Sequence, residues 1–446
     1  MRYFGTDGVR GIANRELTPE LAFRLGLATG TVLKQKGLAH TMVVGRDTRL
    51  SGQMLQGALT AGFCSAGVNV FDGGLLTTPA VAYLARTIEG CAGAVVSASH
   101  NPAEDNGIKF FGHEGYKLSD EVVEAVEILI DNPPQAEDRP IGQEVGWVKP
   151  FIDGADRYVD FLVSTLKGSL EGLVVVADCA NGAASELGPK ALRKAGAQVI
   201  CIHDQPDGWN INEKCGSTHL ESLQAAVPKC KAHVGVAFDG DADRLMAVDH
   251  LGREVDGDQI IVALGLHLQE RGELKGQVVV TVMSNLGLKQ AFNRAGINVL
   301  ETPVGDRFVL QEMLAKGALL GGEQSGHIIL TNAATTGDGI LSALVLLEVM
   351  KETGKSLAEL AGQMERFPQV IVNVPVETKE GWETNPAIAA ARKEAEEILA
   401  GRGRLLVRPS GTEAKIRVMA EGPEKEELEE LAQKLAAVIS REQGGR

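Results

Sequence analysis

The chain has 446 residues, 44% of them hydrophobic and 23% charged, and a formal net charge of −15. That length holds roughly two to four domains, and the acidic balance argues against nucleic acid or an anionic membrane as the main partner. No apolar run reaches the ~18 residues of a membrane-spanning helix, and the opening M-R-Y-F-G-T-D-G lacks the apolar stretch of a signal peptide, so a soluble, cytoplasmic protein is expected. The six cysteines form no C-x-x-C pair and several lie in apolar runs, which predicts reduced, buried thiols and neither a disulfide framework nor a zinc site. An anionic substrate then needs local positive charge, and Arg10, Arg46, Arg244, Arg408 and Arg417 each lie in or beside a Gly-rich turn, a pattern that suits phosphate.

Phe4 to Gly11, F-G-T-D-G-V-R-G, is a glycine-punctuated loop. Its plain reading is a tight turn, but an arginine between glycines also projects its guanidinium without steric cover. Thr18-Pro19 predicts a capped helix running to about Lys36, with proline in its first turn. A repeat follows: a β-branched strand, a polar loop, a helix ending in Ala-Gly, and a second strand. The copies are Thr41 to Val44 with A-G-V-N-V at 66–70, Val174 to Ala177 with A-G-A-Q-V at 195–199, and Val278 to Thr281 with A-G-I-N-V at 295–299. In each, the glycine predicts the left-handed residue that reverses the chain after the helix. A period near a hundred residues indicates a triplicated domain, not a solenoid.

Each copy reaches a third strand, and the loops behind those strands collect the unusual residues: S-A-S-H at 97–100, D-G-D-A-D-R at 239–244 and G-E-Q-S-G-H at 322–327. Alternating strands and helices predict mostly parallel α/β sheets, which bind ligands at the carboxyl ends of their strands. The proline-rich polar stretch from Asn132 to Gly146 predicts a domain boundary near Val148 to Asp153. Asp249 to Gly252 reads as a turn into the third copy, and Glu365 to Pro368 as a break after it. Beyond lie a strand at Gln369 to Val376, a helix at Asn385 to Leu399, two strands around R-P-S-G-T-E within Arg404 to Met419, and an amphipathic helix from about Lys425 to Ile439. The predicted fold is α/β: three similar α/β domains with mixed, mostly parallel sheets (1–152, 153–250, 251–366) and a smaller C-terminal α+β domain (367–446), around one central cleft.

Ser99 stands at a strand end. It is either a turn serine bonded to nearby backbone or a nucleophile with His100 and Lys109 close in sequence. Asp239, Asp241 and Asp243, at alternate positions, can turn inward on one loop and hold a hard cation, here Mg²⁺. The other readings are solvated acids or a calcium loop, and the latter is weakened because His250 stands where a bidentate Glu belongs. Arg408, Ser410, Gly411, Thr412 and Arg417 have the composition of a phosphate cradle. Glu323 and Ser325 are helix-capping residues or hydrogen-bond partners of a sugar, and His327 is a core residue or an acid/base. Trp209 and the Phe110-Phe111 pair read as core.

Taken in order, these stretches resemble the α-D-phosphohexomutase superfamily over the whole chain: phosphoserine loop, metal loop, sugar loop, phosphate loop. Within it, F-G-T-D-G-V-R-G, S-A-S-H-N-P-A-E-D-N-G-I-K-F-F and G-E-Q-S-G-H resemble its bacterial hexosamine-phosphate branch. The resemblance implies a phosphorylated Ser99 and one Mg²⁺ per chain on Ser99, Asp239, Asp241 and Asp243. It makes Lys109 and His327 general acid/base candidates, with His100 beside the serine, and has Arg10 and Arg244 steady the transferring phosphate. It gives the sugar to Glu323 and Ser325 and the non-reacting phosphate to Arg408, Ser410, Gly411, Thr412 and Arg417. Ala414 departs from the family, which usually has proline there. The resemblance further implies a hexosamine phosphate substrate, a hexose bisphosphate as intermediate and activator, a fourth domain that closes over the sugar, and a homodimer formed through the first domain. The alternatives are a neutral-sugar mutase of the same superfamily, a non-catalytic sugar-phosphate sensor, and a metal-dependent phosphatase.

Overall fold

Buried apolar strands alternate with glycine-terminated helices from the first sheet onward, as the repeat requires. The computed structural model describes residues 2–5, 7–410 and 414–444. Packing divides them into two units: the residues up to Met283 with Ile297–Gln363, and Ser284–Gly296 with the residues from Met364 on.

The first sheet forms along β1 (Val9–Ile12), α1 (Pro19–Gln35), β2 (Thr41–Arg46), α2 (Leu50–Ser65), β3 (Asn69–Leu75), α3 (Thr78–Thr87), β4 (Cys91–Val96), β5 (Asp105–Phe111), α4 (Asp120–Asp131) and β6 (Val148–Pro150). Its strand order is β1-β5-β4-β2-β3-β6. T-M-V-V-G-R and C-A-G-A-V-V are buried along almost their whole length, as central strands covered on both faces must be. They pair in parallel, whereas β5 returns antiparallel on β4. Thr18 caps α1 by accepting from Leu21 N–H, with Pro19 in the first turn.

The second sheet follows along α5 (Gly154–Ser164), β7 (Val174–Asp178), α6 (Ala184–Lys194), β8 (Gln198–Ile202), α7 (Glu221–Lys229), β9 (Val234–Phe238), β10 (Leu245–Asp249) and β11 (Glu254–Val255), in the order β11-β10-β9-β7-β8. The Asp249–Gly252 turn closes a hairpin that lays β11 back on β10. Next come α8 (Gly257–Glu270), β12 (Gln277–Thr281), α9 (Leu286–Arg294), β13 (Asn298–Thr302), α10 (Asp306–Lys316), β14 (Leu320–Gly322), β15 (Ile328–Leu330), α11 (Gly339–Thr353) and α12 (Leu357–Ala361). The third sheet has the order β13-β12-β14-β15, and α9 belongs to the second unit. Gly67, Gly196 and Gly296 stand at φ +75°, +105° and +70°, the left-handed reversals that the Ala-Gly signals predict. The three sheets share one plan, parallel central strands with an antiparallel return beside the loop of interest.

Phe110 and Phe111 are buried as expected, and Phe110 packs 6.0 Å from Phe4 and 6.4 Å from Phe63 between ring centroids. Trp209 is not core: its side chain is 63% exposed, because Asp207 accepts from both Trp209 and Asn210 N–H in a surface turn. All six cysteines are free; Cys91, Cys179 and Cys215 are buried, and Cys64, Cys201 and Cys230 only half-buried. Asp178, His203 and Cys215 bring ligand-type atoms within 4.8 Å of one another, with Asp178 Oδ2 3.0 Å from His203 Nδ1.

The second unit adds β16 (Gln369–Pro375), α13 (Pro386–Leu399), β17 (Arg404–Pro409), β18 (Lys415–Glu421) and α14 (Lys425–Gln443). The strands form an antiparallel sheet in the order β16-β18-β17, sealed by a core that includes Ile388, Leu399, Val418, Leu428 and Leu435. Buried Glu421 accepts from Leu286 N–H at 2.8 Å, which ties α9 to β18.

Candidate functional site

Strand β4 is buried along its whole length, so the loop that leaves it starts inside the protein, and Ser99 is only 1% exposed. Ser99 adopts φ +51°, a left-handed conformation that residues other than Gly, Asn and Asp rarely adopt. Its Oγ donates to Asp239 Oδ2 at 2.5 Å and lies 3.2 Å from His100 Nδ1. Burial first, then Arg244 and Arg10, push the His100 imidazole down to about 4. The ring is therefore neutral near pH 7 and carries a nitrogen lone pair.

The acidic loop leaves β9 in the same way. Its three aspartates bring carboxylate oxygens within 4.8 Å of one another in a fully buried setting. Burial, then Asp243 and Asp241, push the Asp239 carboxyl well above its usual range; like charges this close cannot all ionise unaided. Asp241 Oδ1 and Asp243 Oδ1 are buried without a hydrogen-bond donor among the described residues. Oxygen-only ligands with unspent lone pairs suit a small hard cation, so the residues present fit a divalent metal ion beside the Ser99 hydroxyl. Gly240 makes the two loops touch: a Cβ there would meet Ser99 O at 2.4 Å.

Lys109 on β5 points its ammonium into the same cluster, 2.9 Å from Asp241 Oδ2, 3.2 Å from Asp243 Oδ2 and 3.1 Å from Asp7 Oδ2. Burial opposes its charge, yet Asp241, Asp7 and Asp243 together hold the amine well above its usual value. Asp7 also receives Lys117 at 2.7 Å and Arg10 Nη2 at 2.5 Å, so the first glycine loop presents Arg10 already anchored. Thr78 grips Asp241 from α3, by its N–H to the main-chain oxygen at 3.0 Å and by its hydroxyl to Oδ2 at 2.5 Å.

Arg244 and His327 complete this side. Arg244 Nε is buried without a hydrogen-bond acceptor among the described residues and lies 3.8 Å from Asp243 Oδ1, an arrangement ready for an anion. His327 Nε2 accepts the Gly337 N–H at 3.0 Å, which puts the ring proton on Nδ1, 3.7 Å from Asp243 Oδ1. Glu323 Oε1 accepts from Gly305 N–H at 3.1 Å, while Ser325 is exposed.

Within the first unit, then, Ser99, His100, Lys109, the three aspartates, Arg10, Arg244 and His327 form one linked cluster. Asp7, Thr78 and Lys117 join it without a signal of their own in the sequence; Asp7 lies in the F-G-T-D-G-V-R-G loop, but only its contacts give it a role. Glu323 and Ser325 also lie in the first unit, whereas the five residues read as a phosphate cradle fall in the second. Arg408 and Arg417 are direct partners across β17 and β18, where like charges repel, and burial, then Arg417, disfavour the Arg408 charge. Ser410 N–H donates to Lys415 O and its carbonyl accepts from Lys379 Nζ, both at 2.8 Å. Gly411 and Thr412 lie outside the described residues.

Four family profiles of phosphoglucomutase/phosphomannomutase match in order: α/β/α domain I over residues 1–137, α/β/α domain II over 151–252, α/β/α domain III over 256–367 and the C-terminal domain over 371–438. The chain belongs to the phosphoglucomutase/phosphomannomutase family. Among its relatives, the phosphoglucosamine mutase of Desulforamulus reducens is 54% identical over 98% of this chain and 99% of its own length. Two solved structures share the fold: a phosphoglucomutase/phosphomannomutase family protein from Burkholderia thailandensis (TM-score 0.81, 24% identity, 98% and 97% of the two chains) and the Aspergillus fumigatus N-acetylphosphoglucosamine mutase bound to GlcNAc-6P and magnesium (TM-score 0.70, 19% identity, 99% and 96%).

Proposed function

We propose that this chain interconverts glucosamine 6-phosphate and glucosamine 1-phosphate, with Ser99 as the phosphoryl carrier and a bisphosphorylated sugar as intermediate. The observation that carries this reading is the 2.5 Å bond from Ser99 Oγ to Asp239 inside a cluster of carboxylates with unspent lone pairs. Relatives named phosphoglucosamine mutase at 54% identity over almost the whole chain favour the amino sugar over a neutral one.

In this scheme Asp239, Asp241, Asp243 and an oxygen on Ser99 would hold one Mg²⁺, which when bound would supply charge neutralisation at the transferring phosphoryl group. Arg244 and Arg10 bind that group's remaining oxygens. Lys109 and His327 exchange a proton with the sugar hydroxyl, and His100 orients or relieves the serine oxygen. Glu323 and Ser325 bond the sugar. Arg408, Ser410, Gly411, Thr412 and Arg417 take the phosphate that is not being transferred, which would offset the repulsion between the two arginines. When the bisphosphate turns about, its other phosphate returns to Ser99 and the net change moves phosphate between C6 and C1. Domains 1–152, 153–250, 251–366 and 367–446 then carry the phosphoserine, metal, sugar and phosphate loops.

We also propose a cytoplasmic homodimer formed through the first domain, supplying amino-sugar nucleotide and cell-wall precursor synthesis; no helix among the described residues is long and apolar enough to cross a membrane. The test is mass spectrometry for phosphate on Ser99 after incubation with labelled hexose bisphosphate, paired with turnover of Ser99→Ala. Label on Ser99 and an inactive variant are expected. An unlabelled serine, or a variant that turns over glucosamine 6-phosphate normally, overturns the scheme. A kcat/KM for glucose or mannose 6-phosphate above that for glucosamine 6-phosphate would leave the chemistry standing and refute the sugar assignment.

A further inference from the structure

We propose that Arg49 and Asn212 are positioning residues for phosphoryl transfer, gripping the main-chain carbonyl of Ser99 from two different domains so that its side chain is aimed at the aspartate cluster. The proposal rests on the reading of Ser99 as phosphoryl carrier.

Ser99 stands at φ +51°, so its backbone relaxes away from this conformation unless its surroundings hold it. Its carbonyl oxygen accepts from Arg49 Nη2 at 2.9 Å and from Asn212 Nδ2 at 2.8 Å. The same two donors reach the Asn101 carbonyl at 2.8 and 3.0 Å, and Arg49 Nη1 bonds Pro102 O. On the other side, Ser99 N–H donates to Ser97 Oγ at 3.0 Å, and that hydroxyl donates to Asp47 Oδ2 at 2.6 Å. Asp47 closes the ring by pairing with Arg49 Nε at 2.9 Å. Both main-chain polar groups of Ser99 are therefore spent on fixing its direction.

The construction is more than a turn requires. Arg49 is 1% and Asp47 0% exposed, and a buried ion pair is a poor source of stability. What it supplies is a rigid fork of donors at a fixed place. Asn212 lies in the second domain, between β8 and the β9 strand that ends at the aspartates. It thus registers the serine of one sheet against the carboxylates of the next. Gly240 leaves no slack, since a Cβ there would stand 2.4 Å from Ser99 O and 3.0 Å from Asn212 Nδ2. Neither Arg49 nor Asn212 bonds a candidate catalytic side chain; both act through the Ser99 main chain.

Asn212 has φ +58°, so Asn212→Gly removes the amide without straining the backbone. A displacement of about 1 Å at a reacting atom can slow the reaction on the order of 100-fold. We expect kcat of Asn212→Gly to fall by about 10-fold or more, with KM for glucosamine 6-phosphate within about threefold of the parent, and amide exchange over residues 97–102 to quicken. Arg49→Lys, which keeps the charge facing Asp47 but loses the fork, is measured the same way and stands in if the glycine variant does not fold. It is expected to show the same split. A parental kcat in a folded variant overturns the proposal whatever the exchange does, and so does a loss confined to KM. A parent protein that takes no label on Ser99 from hexose bisphosphate overturns the phosphoserine reading and this proposal with it, whereas a labelled parent and an unaffected variant refute the clamp alone.

Discussion

Lys109 Nζ lies 2.9 Å from Asp241 Oδ2, so a resident ammonium already draws on a carboxylate that a divalent cation would need. The amine neutralises part of the cluster and also repels any ion that joins it. Two charges about 4 Å apart interact by about 4 kcal/mol at an effective dielectric constant near 20. Lys109→Met should therefore lower the melting temperature without metal, tighten Mg²⁺ binding by about tenfold or more, and abolish turnover. Calorimetric titration of the variant with Mg²⁺ checks this; weaker binding would mean that the amine helps to build the metal site.

Removing metal with a chelator should stop turnover in the parent, and added Mg²⁺ should restore it. Asp241→Asn keeps the volume and can still accept the Thr78 hydroxyl that Asp241 accepts at 2.5 Å, but it lacks a charged ligand. Its turnover should fall by roughly 100-fold or more and recover only in part at high Mg²⁺. Activity across a Mg²⁺ series, run beside a melting curve, separates this from unfolding.

Asp338 offers a pH signature of stability. It caps α11 by accepting from Leu341 N–H at 2.9 Å and takes the Tyr158 hydroxyl at 2.7 Å, but burial pushes its carboxyl up to about 6 from 3.8. The folded chain thus holds this proton more tightly than the unfolded one. The group's favourable share is complete below about pH 4 and is lost as the pH rises through 6, a swing of about 3 kcal/mol. Asparagine caps as well as aspartate and carries no charge, so Asp338→Asn should melt higher than the parent at pH 8, with the gain disappearing near pH 4. Melting curves at the two pH values decide it.

Arg408 and Arg417 are direct partners across β17 and β18, where two like charges repel and an anion would be attracted. Arg408→Ala should raise KM for glucosamine 6-phosphate by about tenfold with a smaller effect on kcat. It should also abolish the stabilisation of the parent chain by inorganic phosphate. Steady-state kinetics and melting with added phosphate test both.

The strand and helix plan was legible because its signals are local: Ala-Gly reversals at Gly67, Gly196 and Gly296, and apolar runs such as Val174–Asp178, mark each copy without reference to the others. The site motifs were legible too, since Ser99 and the aspartates stand in loops that leave strand ends, and Lys109 follows Ser99 within one recognisable motif although it sits inside β5. β6 escaped notice because its V-K-P is exposed at every position and has no alternation. Asp7, Arg49, Thr78 and Asn212 escaped for a different reason. Each acts across long stretches of chain, as Asn212 does on a carbonyl 113 residues away, and a main-chain acceptor has no sequence signature. Trp209 departs from the expectation that a large aromatic goes inside, since the Asp207 turn holds it at the surface.

Thr78, the first residue of α3, holds Asp241 through both its amide and its hydroxyl. The second sheet with its loops owns all three acidic side chains yet lacks the clamp that orders the middle one, which the first sheet's layer supplies. Ion capture would therefore depend on the N-terminal layer being docked against the second sheet. An isolated fragment spanning residues 151–252 would accordingly be a poor chelator, however well it folds.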